Sequence, residues 1–346
     1  MTRAIALAAV FVTVISLSAK SVSAPSAVQP DRIWFAPGPG TLDFLRLFNH
    51  PEEWPRARTL TKVFKVYQQH TLMPPDPLVG PNSYGALASA GVFRRLNQWG
   101  IKTAIEVGSV KEFYCTADAS GTNAAIANTA ASIEAVRAAG GAVHYLAMDE
   151  PFVSGRAKVC GGPALEPTAD RIATYVNGVH AAFPLVKVGL IEAYPFSSEA
   201  ALETILHLLH ARGASPAFLH MDVDWSALGP DGPTLFARDM KSLQAACAAE
   251  KVPFGMILWG VNGDADALYM RDAQRFVDAL ASTFSWETMP DQMIFQSWAA
   301  SSTGLRITPT NLPEAAQDTH TQFLWNSYRR LRGQISEVQG RATPRR

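Results

Sequence analysis

The chain has 346 residues, with 30 Lys+Arg balanced by 30 Asp+Glu, and 48% of its residues are hydrophobic. So large an apolar share excludes wholesale disorder. The charge balance gives no electrostatic reason to expect nucleic acid or an anionic membrane as a partner.

The N-terminus stands apart. Arg3 precedes an apolar run from Ala4 to Leu17, and small residues follow through Ser18, Ala19, Ser21, Ser23, Ala24 and Ala27. That order reads as a secretory signal peptide over residues 1–27, with a cleavage point obscured by Pro25. The apolar run is short of the roughly 20 residues that span a bilayer, so export is expected to a secreted or periplasmic location, without stable membrane insertion of the mature chain.

Beyond it, short apolar runs alternate with helix-period segments. The first strand is expected at Ile33–Ala36, stopped by Pro37-Gly38-Pro39-Gly40, and the second at Val63–Tyr67, ending at Gln68. A third run reaches Glu106, a fourth Asp149-Glu150-Pro151, and a fifth Glu192, with Tyr194 behind it. The sixth leads to Asp222 and Asp224, the seventh to Trp259-Gly260, and the eighth to Gln296-Ser297-Trp298. Helical stretches at Ser83–Trp99, Asn123–Ala139, Thr168–Phe183, Ser198–Arg212, Thr234–Glu250 and Ala265–Phe284 lie between them, and Asp318–Leu331 reads as a last helix.

Eight strands alternating with helices imply a parallel sheet. An open nucleotide-binding sheet would carry a glycine-rich phosphate turn after its first strand. The prolines there remove amides that a phosphate would need. The fold expected is therefore a single-domain (β/α)8 TIM barrel over residues 28–335, with 336–346 as a disordered tail. Cys115 and Cys160 lie in expected loops and could pair in an oxidising compartment, while Cys247 falls in a helix. No cysteine–histidine cluster has zinc spacing, and no cofactor or metal is called for.

Working groups of such a barrel sit at the C-terminal ends of its strands. Four consecutive ends carry carboxylates: Glu106, Asp149 with Glu150, Glu192, and Asp222 with Asp224. Any one of them could merely cap a helix, but four converging acids point to chemistry. Adjacent Asp149 and Glu150 would repel in a partly dry mouth, so that one keeps a proton, as cleavage of a glycosidic bond requires. Glu150 is the expected acid. Glu192, expected to point inward by strand alternation, and Asp222 or Asp224 are candidates for the second carboxylate. Two acids sharing one bond should lie within about 10 Å. Trp34, Tyr194, Trp225, Trp259 and Trp298 fall at or near strand ends, where rings can stack on sugar faces. Gln68, Glu106, Tyr194, Asp224, Trp259 and Trp298 complete the expected substrate-binding set.

These strand ends resemble those of the (β/α)8-barrel glycoside hydrolases over roughly Asp31–Leu331. The likeness rests on Glu150 closing strand four, on Trp259 and Trp298 at the ends of strands seven and eight, and on the export signal. It implies a carbohydrate substrate. In the largest clan of these enzymes strand four ends in Asn-Glu and strand seven in a nucleophilic Glu. Here Asp149 replaces the Asn, and Trp259-Gly260 stands where that Glu would be. An Asp-Glu pair on strand four is similar to the hexosaminidase-like enzymes, which implies Asp149 as orienter of an acetamido group and Glu150 as acid. Other barrel glycosidases carry their acids on strands four and six, which implies pairing with Asp222. Two rival readings remain: a divalent-metal-dependent sugar isomerase or lyase using Glu106, Glu150, Glu192 and Asp222, and a carbohydrate-binding barrel without catalysis.

Overall fold

The structure is a computed structural model that describes residues 31–116, 118–229, 231–304 and 307–341. The expected signal peptide lies outside the described residues.

Eight parallel strands close into a barrel in sequence order. They are β1 (Ile33–Ala36), β2 (Val63–Tyr67), β3 (Lys102–Val107), β4 (Val143–Asp149), β5 (Lys187–Tyr194), β6 (Leu219–Val223), β7 (Phe254–Leu258) and β8 (Gln292–Gln296). β1 pairs with both β2 and β8, which completes the ring. The helices run α1 (Arg46–Asn49), α2 (Pro55–Leu60), α3 (Tyr84–Ser89), α4 (Val92–Gln98), α5 (Ser120–Ala138) and α6 (Pro151–Gly155). They continue with α7 (Leu165–Ala182), α8 (Glu199–Ala211), α9 (Gly232–Ala249), α10 (Asp266–Thr283) and α11 (His320–Arg341). The last helix thus runs on into the stretch expected to be a tail.

Strand alternation sorts the side chains into a lumen and a helix-facing shell. Trp34 on β1 touches Tyr145 on β4 and Phe218 and His220 at β6, with ring centroids 5.0, 5.2 and 4.9 Å apart. These strands are not neighbours, so the contacts pass through the lumen. Two glycines make room for this plug. A Cβ on Gly189 would lie 2.5 Å from the Phe218 ring, and one on Gly255 would lie 2.5 Å from His220. His220 binds Gln292 (Nε2···Oε1 2.6 Å), and burial lowers its pKa to about 3, so it stays neutral. Trp34, considered from sequence as an aromatic near a strand end, is instead part of the floor.

Above the floor the lumen turns polar. Lys65 on β2 is fully buried and contacts both Glu106 on β3 and Gln296 on β8. The paired registers Tyr67↔Glu106, Asp149↔Ile191 and Ala193↔Asp222 place Glu106, Asp149 and Asp222 on the lumen side at the C-terminal rim. A disulfide joins Cys115, before α5, to Cys160, after α6, while Cys247 is buried and free.

Candidate active site

Charge at the mouth falls into three groups. The first is Lys65 with Glu106: the ammonium donates to the Glu106 carboxylate and to Gln296 Oε1, and Gln296 Nε2 donates to Glu106 at 3.1 Å. A lysine in the interior needs such a partner, because an unpaired buried charge is costly. Burial pushes the Glu106 carboxyl up, while Lys65 pulls it the other way. Glu106, expected to bind substrate, is thus committed to neutralising Lys65.

The second group is Lys111 with the strand-four acids. Its ammonium lies 2.6 Å from Asp149 Oδ2 and 3.7 Å from Glu150 Oε2. Burial opposes the lysine's charge, but Asp149 and Glu150 outweigh it and hold the ammonium above its ordinary range. Burial and the neighbouring Asp149 raise the Glu150 carboxyl, against the pull of Lys111. Glu150 takes a left-handed backbone conformation (φ 48°), uncommon for a residue other than glycine. The strand ends on its amide, which donates to Ile191 O at 2.9 Å, and α6 begins with Pro151 in the first helical position.

The third is Asp222 on β6. Its Oδ1 is buried without a hydrogen-bond partner. Burial first, then the charges of Glu150 and Glu106, hold its carboxyl well above the usual range. These influences are the mark of acids that crowd one desolvated space.

Other expected members of the site lie elsewhere. Glu192 does not point inward: its neighbour Ile191 pairs with lumen-facing His220, so parity sends Glu192 to the helix side. There it is fully buried and accepts hydrogen bonds from the amides of Phe152 (2.7 Å) and Val153 (3.2 Å). It caps α6 from the neighbouring strand, the service an N-cap residue normally renders to its own helix. The Glu150 side chain makes no such cap bond and is left to the mouth. Burial holds the Glu192 carboxyl well above its usual range.

Tyr194 shares that parity, and its hydroxyl donates to Asp239 on α9 at 2.7 Å. Asp224 accepts from Ser226 N at 2.8 Å and so caps the turn at Trp225–Ala227. Gln68 bridges Gly108 N and Ser132 Oγ at 3.2 and 3.3 Å, tying β2's end to the next loop and to α5. Trp225 packs on Phe236 and Phe276. Tyr194, Asp224 and Gln68 thus spend their polar atoms on local bonds, whereas Trp225 also borders the cavity described below.

Trp259 and Trp298, both expected to bind substrate, lie against each other. Their ring centroids are 4.3 Å apart at 36°, and the Trp259 Nε1 is buried without a partner. Beyond them a cavity of about 810 Å³ opens between the loops after β6, β7 and β8, lined in part by Leu228, Val261, Asn262 and Ser302. It adjoins the aromatic pair along the chain and is not lined by the acids.

Sequence reading missed Lys65 and Lys111. Lys65 carried a signal, being a lone cation inside the apolar run Val63–Tyr67. Lys111 carried none, since only tertiary structure brings its loop onto β4. Among the described residues no group of three or more His, Cys, Asp or Glu side chains could hold a metal ion. Likewise, no described helix is long and apolar enough to cross a membrane.

No protein-family model matches the chain, and no curated protein matches it in sequence. Solved structures do resemble it. An endo-β-1,4-mannanase from Cellulomonas fimi, described with the glycoside hydrolase family 26 mannanases, aligns with a TM-score of 0.56 at 10% identity, over 87% of this chain and 71% of the mannanase. A psychrophilic family 10 endo-β-1,4-xylanase aligns with a TM-score of 0.52 at 13% identity, over 85% and 96% of the two chains. Active domain 2 of a chitinase from Pyrococcus furiosus gives 0.50 at 14% identity, over 92% and 98%. At these identities the likeness is one of fold. The chain has the closed (β/α)8 architecture that these glycoside hydrolases share.

Proposed function

We propose that the protein is an exported glycoside hydrolase whose two working carboxyls are Glu150 and Asp222. The observation that carries this is a charge count at the mouth. Lys65 is matched with Glu106 and Lys111 with Asp149, which among the described residues leaves Glu150 and Asp222 as two crowded acids without a full counter-ion. Crowding favours such a pair holding one proton between them, and an acid beside a carboxylate is what glycosidic cleavage uses.

Geometry also favours one division of labour. Lys111 lies 3.7 Å from Glu150, whereas Asp222 has an orphan Oδ1 and stands deeper. The proton therefore rests on Asp222, which protonates the leaving oxygen. Glu150, ionised, attacks the anomeric carbon or activates a water. This exchanges the role expected for Glu150 from the sequence. Asp149, held by Lys111, is placed to orient the sugar, and the Trp259–Trp298 pair offers a ring face for stacking. The neighbouring cavity gives a longer glycan room to continue.

The metal-dependent reading loses its ligand set, because Glu192 faces the helices and Glu106 is bound to Lys65. Export is supported by the Cys115–Cys160 bond, which suits an oxidising compartment.

The test is a pH–rate profile on a panel of β-linked glycans. Glu150→Gln and Asp222→Asn should each lower kcat by about 10²–10⁴-fold. Asp222→Asn should abolish the alkaline limb, and a small external nucleophile such as azide should rescue Glu150→Ala but not Asp222→Ala. Full activity in either acid's variant would end the proposal, and azide rescue of Asp222→Ala alone would restore the opposite assignment.

A further inference from the structure

Lys111 is not on a strand or a long helix. It sits in the loop between β3 and α5, and the loop's own hydrogen bonds are short-range: Lys111 N to Gly108 O (3.0 Å) and Tyr114 N to Lys111 O (2.8 Å). The loop is held against the barrel by Val110, buried in the core beside Lys111, and by a set of contacts at its far end. Cys115 is bonded to Cys160, in the loop that follows α6. Arg171 on α7 donates to Cys115 Sγ at 3.2 Å, to Cys160 O at 2.7 Å, and also to Gly155 O at the end of α6. At the start of α5, Gly121 lets the strap lie flush, because a Cβ there would fall 1.8 Å from Tyr114 O.

We infer that residues 109–116 form a disulfide-anchored strap whose function is to seat Lys111 on Asp149 and Glu150, making Lys111 the positioning residue that keeps Glu150 ionised. This rests on the reading of Glu150 as the ionised partner of Asp222. The groups facing Glu150 define why one cation matters. Asp149 comes from its own strand, Glu106 from β3 with Lys65 behind it and Asp222 from β6, while Glu192 on the helix side of β5 lies within electrostatic reach. Apart from Lys65, already matched with Glu106, Lys111 is the one cation in this set among the described residues. Removing it leaves acids facing acids, which favours a protonated Glu150.

The same disulfide also closes the segment that contains α6, the helix Glu150 leads into. One covalent bond therefore steadies the lysine and the far side of the acid it serves. A surface ion pair on an unanchored loop would contribute little, since an exposed lysine holds its partner weakly. Seating Lys111 in a half-buried position against a fixed loop end is what gives the contact its effect.

The experiment titrates the Glu150 carboxyl by ¹³C NMR in the full secreted chain, alongside the pH–rate profile. Lys111→Met should move the Glu150 titration, and with it the acidic limb, to higher pH by about one unit. Lys111→Arg should restore most of it. The double variant Cys115→Ser/Cys160→Ser should move both in the same direction by less, with circular dichroism confirming the fold. An unmoved Glu150 titration in Lys111→Met overturns the role of Lys111. A moved titration there with none in the cysteine variant overturns the strap. Because the titration needs no substrate, its result stands apart from the hydrolase reading: a shifted Glu150 in a chain that cleaves no glycan would sink that reading and leave the strap intact.

Discussion

Around the mouth, the β2–β4 arc carries Lys65, Glu106, Lys111, Asp149 and Glu150, whereas the β7–β8 arc carries Trp259 and Trp298. The first arc is built from charges that compensate one another inside the sheet, so each member depends on its partner being present. The second is built from two tilted rings in close contact, whose hydrophobic attraction is non-directional and survives small displacements. Polar compensation is brittle and aromatic packing is tolerant. That contrast predicts which substitutions harm the fold and which harm only ligand binding.

The largest effect should come from Lys65→Met. It strips Glu106 of its counter-ion inside the barrel, and chemical denaturation should show a loss of about 3–5 kcal/mol. Adding Glu106→Gln should recover most of it, and if the double variant is no more stable than the single one, the pairing is not what holds this arc together. Trp298→Ala should be milder for the fold, since the side chain is half-buried. On the proposed reading its cost appears in binding, as a roughly tenfold rise in KM, or about 1.4 kcal/mol, with kcat little changed. An equal fall in kcat would mean that the ring acts on the reacting atoms and not as a platform.

The smallest effect concerns Glu192, where the acid serves architecture. Its folded carboxyl holds a proton more tightly than in the unfolded chain. Its contribution is therefore fully present below the ordinary glutamate range and is lost as pH rises from near 4.5 through the folded value. Glu192→Gln should remove this dependence, so the stability gap between wild type and variant should narrow as pH climbs, measured by urea denaturation from acid to neutral pH. A gap that widened would show that the carboxylate, not the acid, is the capping form.

Much of this was legible in the chain. Strand lengths, Pro-Gly punctuation and apolar runs announced eight strands, and the acid after each of four successive runs announced a charged rim. The orientation of Glu192 was not legible, because alternation fixes parity only once a strand's phase is known. That phase is set by Phe218 and His220 filling the space left by Gly189 and Gly255. Asp224 and Gln68 looked like site residues because capping and loop-tying use the same side chains as ligand binding. Lys111 was hidden for a different reason. Its importance lies in a fold-back closed by cysteines 45 residues apart in sequence, and local pattern carries no trace of that.

The plug at the bottom of the barrel has a consequence for traffic. With Trp34, Tyr145, Phe218 and His220 filling the lower lumen, the described residues close the barrel at that end and leave the rim at the strands' C-terminal ends as the approach to the acids. Whatever arrives and whatever departs must use the same loop-framed opening. On the proposed reading, a cleaved fragment lingering there would block the next arrival, so turnover would slow as fragments accumulate.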